Sequence, residues 1–253
     1  MACGGVMAAG REAQATVPSL ALSPEQERGR YLVTAGDCIA CHTAPGGAPF
    51  AGGRAIATPF GTVVSTNLTP SAATGLGTWT RDDFRRALHD GRGKEGRLLY
   101  PAFPYPNFTR MSETDSDAMF AYLRTLPPVD RTPPPHALRF PYGTQAALAA
   151  WRMLFFRPGD FVPDPARSDE WNRGAYLVRG PGHCDACHAS RNALGAVSHE
   201  LDLGGGLIPM QNWYAPPLIS ARGDGAANWD AADLEALLKT GVSPRGAAMG
   251  PMA

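Results

Sequence analysis

Cys38-Ile39-Ala40-Cys41-His42 and Cys184-Asp185-Ala186-Cys187-His188 are two copies of the pattern C-x-x-C-H in one chain. Two thiols three positions apart on one helical turn reach the two vinyl groups of a porphyrin, and the adjacent imidazole then meets the iron. A single copy would also suit half of a zinc site or a thiol redox pair. Zinc takes four ligands, typically from two nearby pairs, yet these pairs stand 146 positions apart. A thioredoxin-like pair wants a βαβ setting, and neither motif has one. The residues therefore point to two covalent haem c groups, one on Cys38, Cys41 and His42, the other on Cys184, Cys187 and His188.

The flanks of the two motifs repeat as well. Arg28-Gly29-Arg30-Tyr31-Leu32-Val33 precedes the first and Arg173-Gly174-Ala175-Tyr176-Leu177-Val178 the second. Downstream, Trp79-Thr80-Arg81-Asp82-Asp83-Phe84 leads to Gly91, and Trp229-Asp230-Ala231-Ala232-Asp233-Leu234 leads to Gly241. Both Trp-to-Gly spans are 12 positions. Ordered matches at near-equal spacing indicate a duplicated domain.

Each copy reads as helices separated by loops. Ser23, Pro24 and Gln26 form an S-P-x-Q helix start, for a helix running to about Ala35. Thr80 and Asp230 cap the next helix in each copy, with Asp83 and Asp233 at the third position. Gly91 and Gly241 suit the left-handed residue that ends a helix. A further helix, about Glu113 to Leu126, follows Ser112 in the first copy only, and its counterpart is expected beyond Ala253. Pro127-Pro128 and Pro133-Pro134-Pro135 mark stiff, extended chain between the copies. Thr144 to Phe156 reads as a strongly apolar helix, expected to pack across the two domains, with a partner or membrane surface as the alternative. The expectation is an all-α fold in four stretches: a ragged terminus at 1–22, a helical domain at 23–127, a linker with one helix at 128–168 and a second domain at 169–253, short of its last helix.

A sixth iron ligand is sought among methionines, since Met opposite His raises the potential. Met252 lies in a loop 11 positions after Gly241, with Met249 as competitor. In the first copy Met111 stands just before the Ser112 cap, while alignment on the two glycines puts Phe103 opposite Met252. Met111 could also simply cover the helix end. Met119 reads as core, and Met210 as a loop residue. His89, His136, His183 and His199 default to surface or hydrogen-bonded positions. Arg54, Arg179 and Arg191 suit haem propionates by charge and shape. Cys3 reads as a free thiol.

The chain has 253 residues, 44% of them apolar and 18% charged, with 23 basic and 23 acidic side chains. A neutral balance gives no reason to expect nucleic acid as a partner. Gly (29) and Pro (24) together make about a fifth of the chain, which suggests long ordered loops between short helices. No stretch of about 20 apolar residues is present. Met1 to Leu22 lacks the basic and apolar regions of a signal peptide. Haem attachment to C-x-x-C-H occurs outside the cytoplasm, so an export signal is expected upstream.

Leu99-Tyr100-Pro101-Ala102-Phe103-Pro104-Tyr105, Trp171 to Val178, His183 to His188 and Gly246 to Met252 carry a family likeness. With them, nearly the whole chain resembles the cytochrome c subunit of membrane-bound bacterial dehydrogenases acting on alcohols, gluconate, fructose or aldehydes. The resemblance implies tandem class I cytochrome c-like domains and a periplasmic place on the inner membrane, reached through a missing region or a partner. It implies electron flow from a dehydrogenase catalytic subunit to quinone or a terminal oxidase, with no catalytic side chain in this subunit. Family members usually carry three haem domains, where this chain has two motifs, and often Met where Phe103 stands. Two other readings compete: a free periplasmic dihaem shuttle, and a dihaem peroxidase, which would need one haem with an open face.

Overall fold

Ser23 opens the first helix as its sequence suggests. Its hydroxyl accepts from the amide of Gln26 at 3.2 Å, and the Gln26 side chain accepts from the amide of Ser23 at 2.9 Å. Helix α1 then runs Pro24–Ala35. In this computed structural model the described residues are 21–197, 203–219, 225–226 and 228–253. The Cys3 and His199 expectations lie outside them.

The first C-x-x-C forms a helical turn, α2 (Cys38–Cys41). An antiparallel hairpin follows, β1 (Ala55–Thr58) and β2 (Gly61–Val64). Next come α3 (Arg81–Asp90), the short α4 (Tyr105–Phe108) and α5 (Glu113–Leu123). Thr80 and Asp83 close a reciprocal capping box on α3, and Gly91 ends that helix at φ 57°.

Helices α1 and α5 form the principal helix pair. A Cβ on residue 29 would run into the carbonyl oxygen of Ala118, so only glycine lets the two backbones approach this closely. Leu32 and Val33 of α1 then bury themselves with Met119, Phe120 and Leu123 of α5, and with Phe84 and Leu88 of α3. Full burial of each such side chain contributes about 1.5–3 kcal/mol.

The linker between the copies is folded onto both. Strand β3 (Ala137–Leu138) adds to β2, giving the sheet order β1-β2-β3. Helix α6 (Gln145–Phe155) reaches in both directions. The Gln145 side chain bonds both backbone groups of Leu98, and the Trp151 indole donates to the Leu194 carbonyl at 2.9 Å.

The second copy holds α7 (Asp169–Arg179), capped by Ser168, and the turn α8 (Asp185–His188). A hairpin of β4 (Gly206–Ile208) and β5 (Trp213–Ala215) follows. Helix α9 (Ala231–Thr240) starts at the Asp230 cap and ends at Gly241, φ 76°. The hairpin of β6 (Val242–Ser243) and β7 (Gly246–Ala247) leads to a 3₁₀ turn, Gly250–Met252.

The expectation of an all-α chain fails on these strands. One three-stranded and two two-stranded antiparallel sheets stand among the described residues. Gly and Pro, read above as loop formers, in part punctuate hairpins: Pro59-Phe60-Gly61 turns β1 into β2, flanked by the β-branched Ile56, Thr58, Thr62, Val63 and Val64.

Candidate haem-binding sites

Both motifs are delivered by the same local geometry. The residue before the first cysteine is left-handed in each, Asp37 at φ 44° and His183 at φ 38°. Positive φ is costly for a residue with a Cβ. Here it turns the chain sharply from α1 or α7 into the short motif helix. The amide of each motif histidine then bonds the carbonyl of the first cysteine at 2.9 Å, His42 to Cys38 and His188 to Cys184.

Each hairpin orients one imidazole. His42 Nδ1 stands 2.7 Å from the carbonyl oxygen of Thr66, two residues after β2. His188 Nδ1 stands 2.7 Å from the carbonyl oxygen of Pro216, immediately after β5. A carbonyl only accepts, so Nδ1 carries the proton and Nε2 keeps its lone pair for a metal. Burial holds the His42 pKa below the ordinary imidazole value, which favours the neutral ligand form. The amides of Gly52 and Gly205 bond back to the carbonyls of His42 and His188, at 2.7 and 2.9 Å.

All four motif cysteines are free thiols. Burial pushes Cys38 up to about 12 and Cys184 up to about 11, and it raises Cys41 and Cys187 as well. A thiol redox pair works through a stabilised thiolate, the opposite shift. No group of three or more His, Cys, Asp or Glu among the described residues is arranged to hold a metal ion. Paired neutral thiols on one turn, beside an imidazole with a free Nε2, fit a covalent haem. So does the apolar surface near the second motif, where Leu207, Met210, Trp213, Tyr214 and Met249 are exposed and a flat macrocycle has something to cover.

The remaining expected residues fall in varied places. Met111 is 2% exposed, in the core cluster against which Cys38 and Phe103 pack. Met252 is 49% exposed and lines an open groove with Leu237, Leu238 and Ala248. Met119 is core, and Met210 and Met249 are exposed. His89 bonds Asp90 at 2.7 Å, and His136 accepts from the amide of Val64 at 3.0 Å. Arg191 spends its guanidinium on the carbonyls of Ala186 and Gly195, and Arg179 stacks over Trp171. Arg54 acts electrostatically on Asp37 and Cys41.

Several contacts between the two copies had no counterpart in the sequence reading. Asp115, 1% exposed, takes an ion pair from Arg28 and a hydrogen bond from the Tyr176 hydroxyl at 2.5 Å, with Arg173 at 3.9 Å. Asn107 bonds Asp185 inside the second motif, and His183 bonds the Gly36 carbonyl. These pairings join positions 58 to 147 residues apart, beyond any local pattern.

Residues 26–127 match the cytochrome c family. The chain is 37% identical over 228 residues to a "Diheme cytochrome c-type" of Cereibacter sphaeroides, covering 88% of this chain and 75% of that one. The chain belongs to the c-type cytochromes. This cytochrome is also 46% identical over 228 residues to a subunit of the nicotinate dehydrogenase of Pseudomonas putida, covering 89% of the chain and 19% of that protein. It is 40% identical over 234 residues to the cytochrome c subunit of "Alcohol dehydrogenase (quinone)" of Gluconacetobacter polyoxogenes, covering 89% and 50%. It thus spans about half the length, or less, of these dehydrogenase relatives. Family membership brings covalent haem c and haem-based electron transfer.

Proposed function

We propose that this cytochrome binds two haem c groups and passes electrons from a dehydrogenase catalytic subunit to quinone or a terminal oxidase, on the periplasmic face of the inner membrane. Cys38 and Cys41 hold one haem, with His42 on its iron; Cys184 and Cys187 hold the other, with His188. Met111 and Met252 are the proposed sixth ligands. The chain holds two haem domains, at about 23–127 and 169–253, joined by a linker whose strand β3 pairs with the first. When bound, the haem irons supply reversible one-electron chemistry.

The observation that carries this reading is the matched pair of imidazoles, each with Nδ1 at 2.7 Å from a backbone carbonyl. A ring held this way presents an unprotonated Nε2 in a fixed direction and is a stronger ligand for it. The chain's other contribution is exclusion of water. Cys38 packs against the buried core cluster that includes Leu32, Phe108 and Met111, and a drier site shifts the balance between iron charge states.

The test is haem content and coordination in the exported, haem-loaded protein. Two haems per chain, both six-coordinate, are expected by alkaline pyridine assay and by optical and paramagnetic resonance spectra. One haem per chain would sink the two-site reading. A five-coordinate haem with peroxide turnover would point to a peroxidase instead. Co-purification with a dehydrogenase subunit supports the partner assignment, and a haem-loaded protein that always purifies alone supports a free shuttle.

A further inference from the structure

The two motifs meet along one seam. His183 stands immediately before Cys184, and its Nε2 lies 3.1 Å from the carbonyl oxygen of Gly36, two residues before Cys38. The same ring stands edge-on to Phe108 at 5.6 Å, and Phe108 belongs to the cluster against which Cys38 packs. On the other flank Asn107 donates to Asp185, between Cys184 and Cys187, at 2.5 Å, and to the Arg179 carbonyl at 3.3 Å. The backbones are close here too: a Cβ on residue 36 would stand 3.2 Å from the Pro181 carbonyl oxygen and 3.6 Å from Cys38 Sγ. The Cys187 thiol is near enough to act electrostatically on Cys41.

Neither site needs the His183 ring for its own ligand set. The ring instead closes a short chain of links. From Cys184 the backbone leads to His183, the side chain to Nε2, one hydrogen bond to the Gly36 carbonyl, and the backbone through Asp37 to Cys38. Electrons tunnel through covalent and hydrogen bonds more readily than across van der Waals gaps, because the electronic coupling decays more slowly along bonds.

We infer that His183 is the bridging and positioning residue between the two haem sites, through its hydrogen bond to the Gly36 carbonyl. It fixes the spacing of the motifs and completes a short bonded route between them. One electron crosses per event, with oxidation at one iron and reduction at the other, and no bond is made or broken. The inference rests on the two-haem reading above.

The experiment is rapid one-electron reduction of the full haem-loaded chain by a radiolytic pulse, following equilibration between the haems. His183→Asn keeps a side chain that tolerates positive φ but is too short to reach Gly36. His183→Gln places an amide donor near the position of Nε2. Slowing by about an order of magnitude in the Asn variant, with recovery in the Gln variant and unchanged haem content, is the expected result. A wild-type rate in the Asn variant, or a Gln variant as slow as Asn, would overturn it. If the Asn variant does not load its second haem, His183→Leu takes its place with the same criteria. Haem counting keeps the two levels apart. One haem in the wild-type chain refutes the two-site reading, whereas two haems with an unaffected rate refute only the bridge.

Discussion

In the first copy Gly29 of α1 presses on Ala118 of α5, and Leu32, Met119 and Leu123 close over the contact. In the second copy Gly174 of α7 occupies the matching place, a Cβ there would meet open space, and no residue of α9 is buried. Yet the motif turns, the left-handed residues before them and the hairpin carbonyls on the histidines agree between the copies. The repeated landmarks therefore specify how a haem is held, and the apolar core is a separate matter, to which α5 brings Met119, Phe120 and Leu123 against α1 and α3. A helix start or a C-x-x-C-H turn forms from local rules, whereas a core forms only when a second apolar face is present to receive the first.

The sharpest way to break this comparison is to remove one haem at a time. Cys38→Ala with Cys41→Ala, and separately Cys184→Ala with Cys187→Ala, should each lower haem content from two per chain to one. Circular dichroism should then show the asymmetry, with more helix lost when the second haem is missing than when the first is. Equal losses would mean that the first core does not stand by itself.

Core truncation comes next in size. Leu32→Ala should cost about 2–5 kcal/mol in denaturant unfolding, while Leu238→Ala, on a side chain 74% exposed, should stay within about 0.5 kcal/mol. The glycines give the sign test. Gly29→Ala forces α1 from α5 and should cost about 1–3 kcal/mol or more by overpacking. Gly174→Ala, in open space, should stabilise α7 by roughly 0.5–1 kcal/mol.

The smallest effect is on pH. Burial, with the carboxylate of Asp115 facing its hydroxyl, holds the Tyr176 pKa up to about 12, against 10.0 for the ordinary group. The unfolded chain releases this proton first. The stability is therefore complete below pH 10 and drains away as the pH rises towards 12. A stability-against-pH curve for Tyr176→Phe should be flatter across that window than the wild-type curve.

Much of this was legible in the chain itself. The Ser23, Thr80 and Asp230 caps and the Gly91 and Gly241 stops read correctly, because each depends on residues within a few positions. The hairpins were harder. Ile56, Thr58 and Val63 sit in strands of four residues, too short for alternation to stand out among glycines and prolines. The Met-Gln turn between β4 and β5 carries no strong hairpin signal, though Met210 and Asn212 both adopt positive φ. The Asn107–Asp185 and Tyr176–Asp115 pairings are products of docking and have no periodicity to read.

Strand β3 bears on how this molecule could be dismembered. It comes from residues 137–138, past the end of the cytochrome c match at residue 127, yet it completes the sheet of the first copy on the β2 side. The His136 ring also accepts from the amide of Val64. A cut at the family boundary would strip β2 of its neighbour and leave an open row of amides and carbonyls, ready to pair with another molecule. The smallest portable unit of the first copy is therefore longer than the family motif, and its natural severing point lies beyond the prolines.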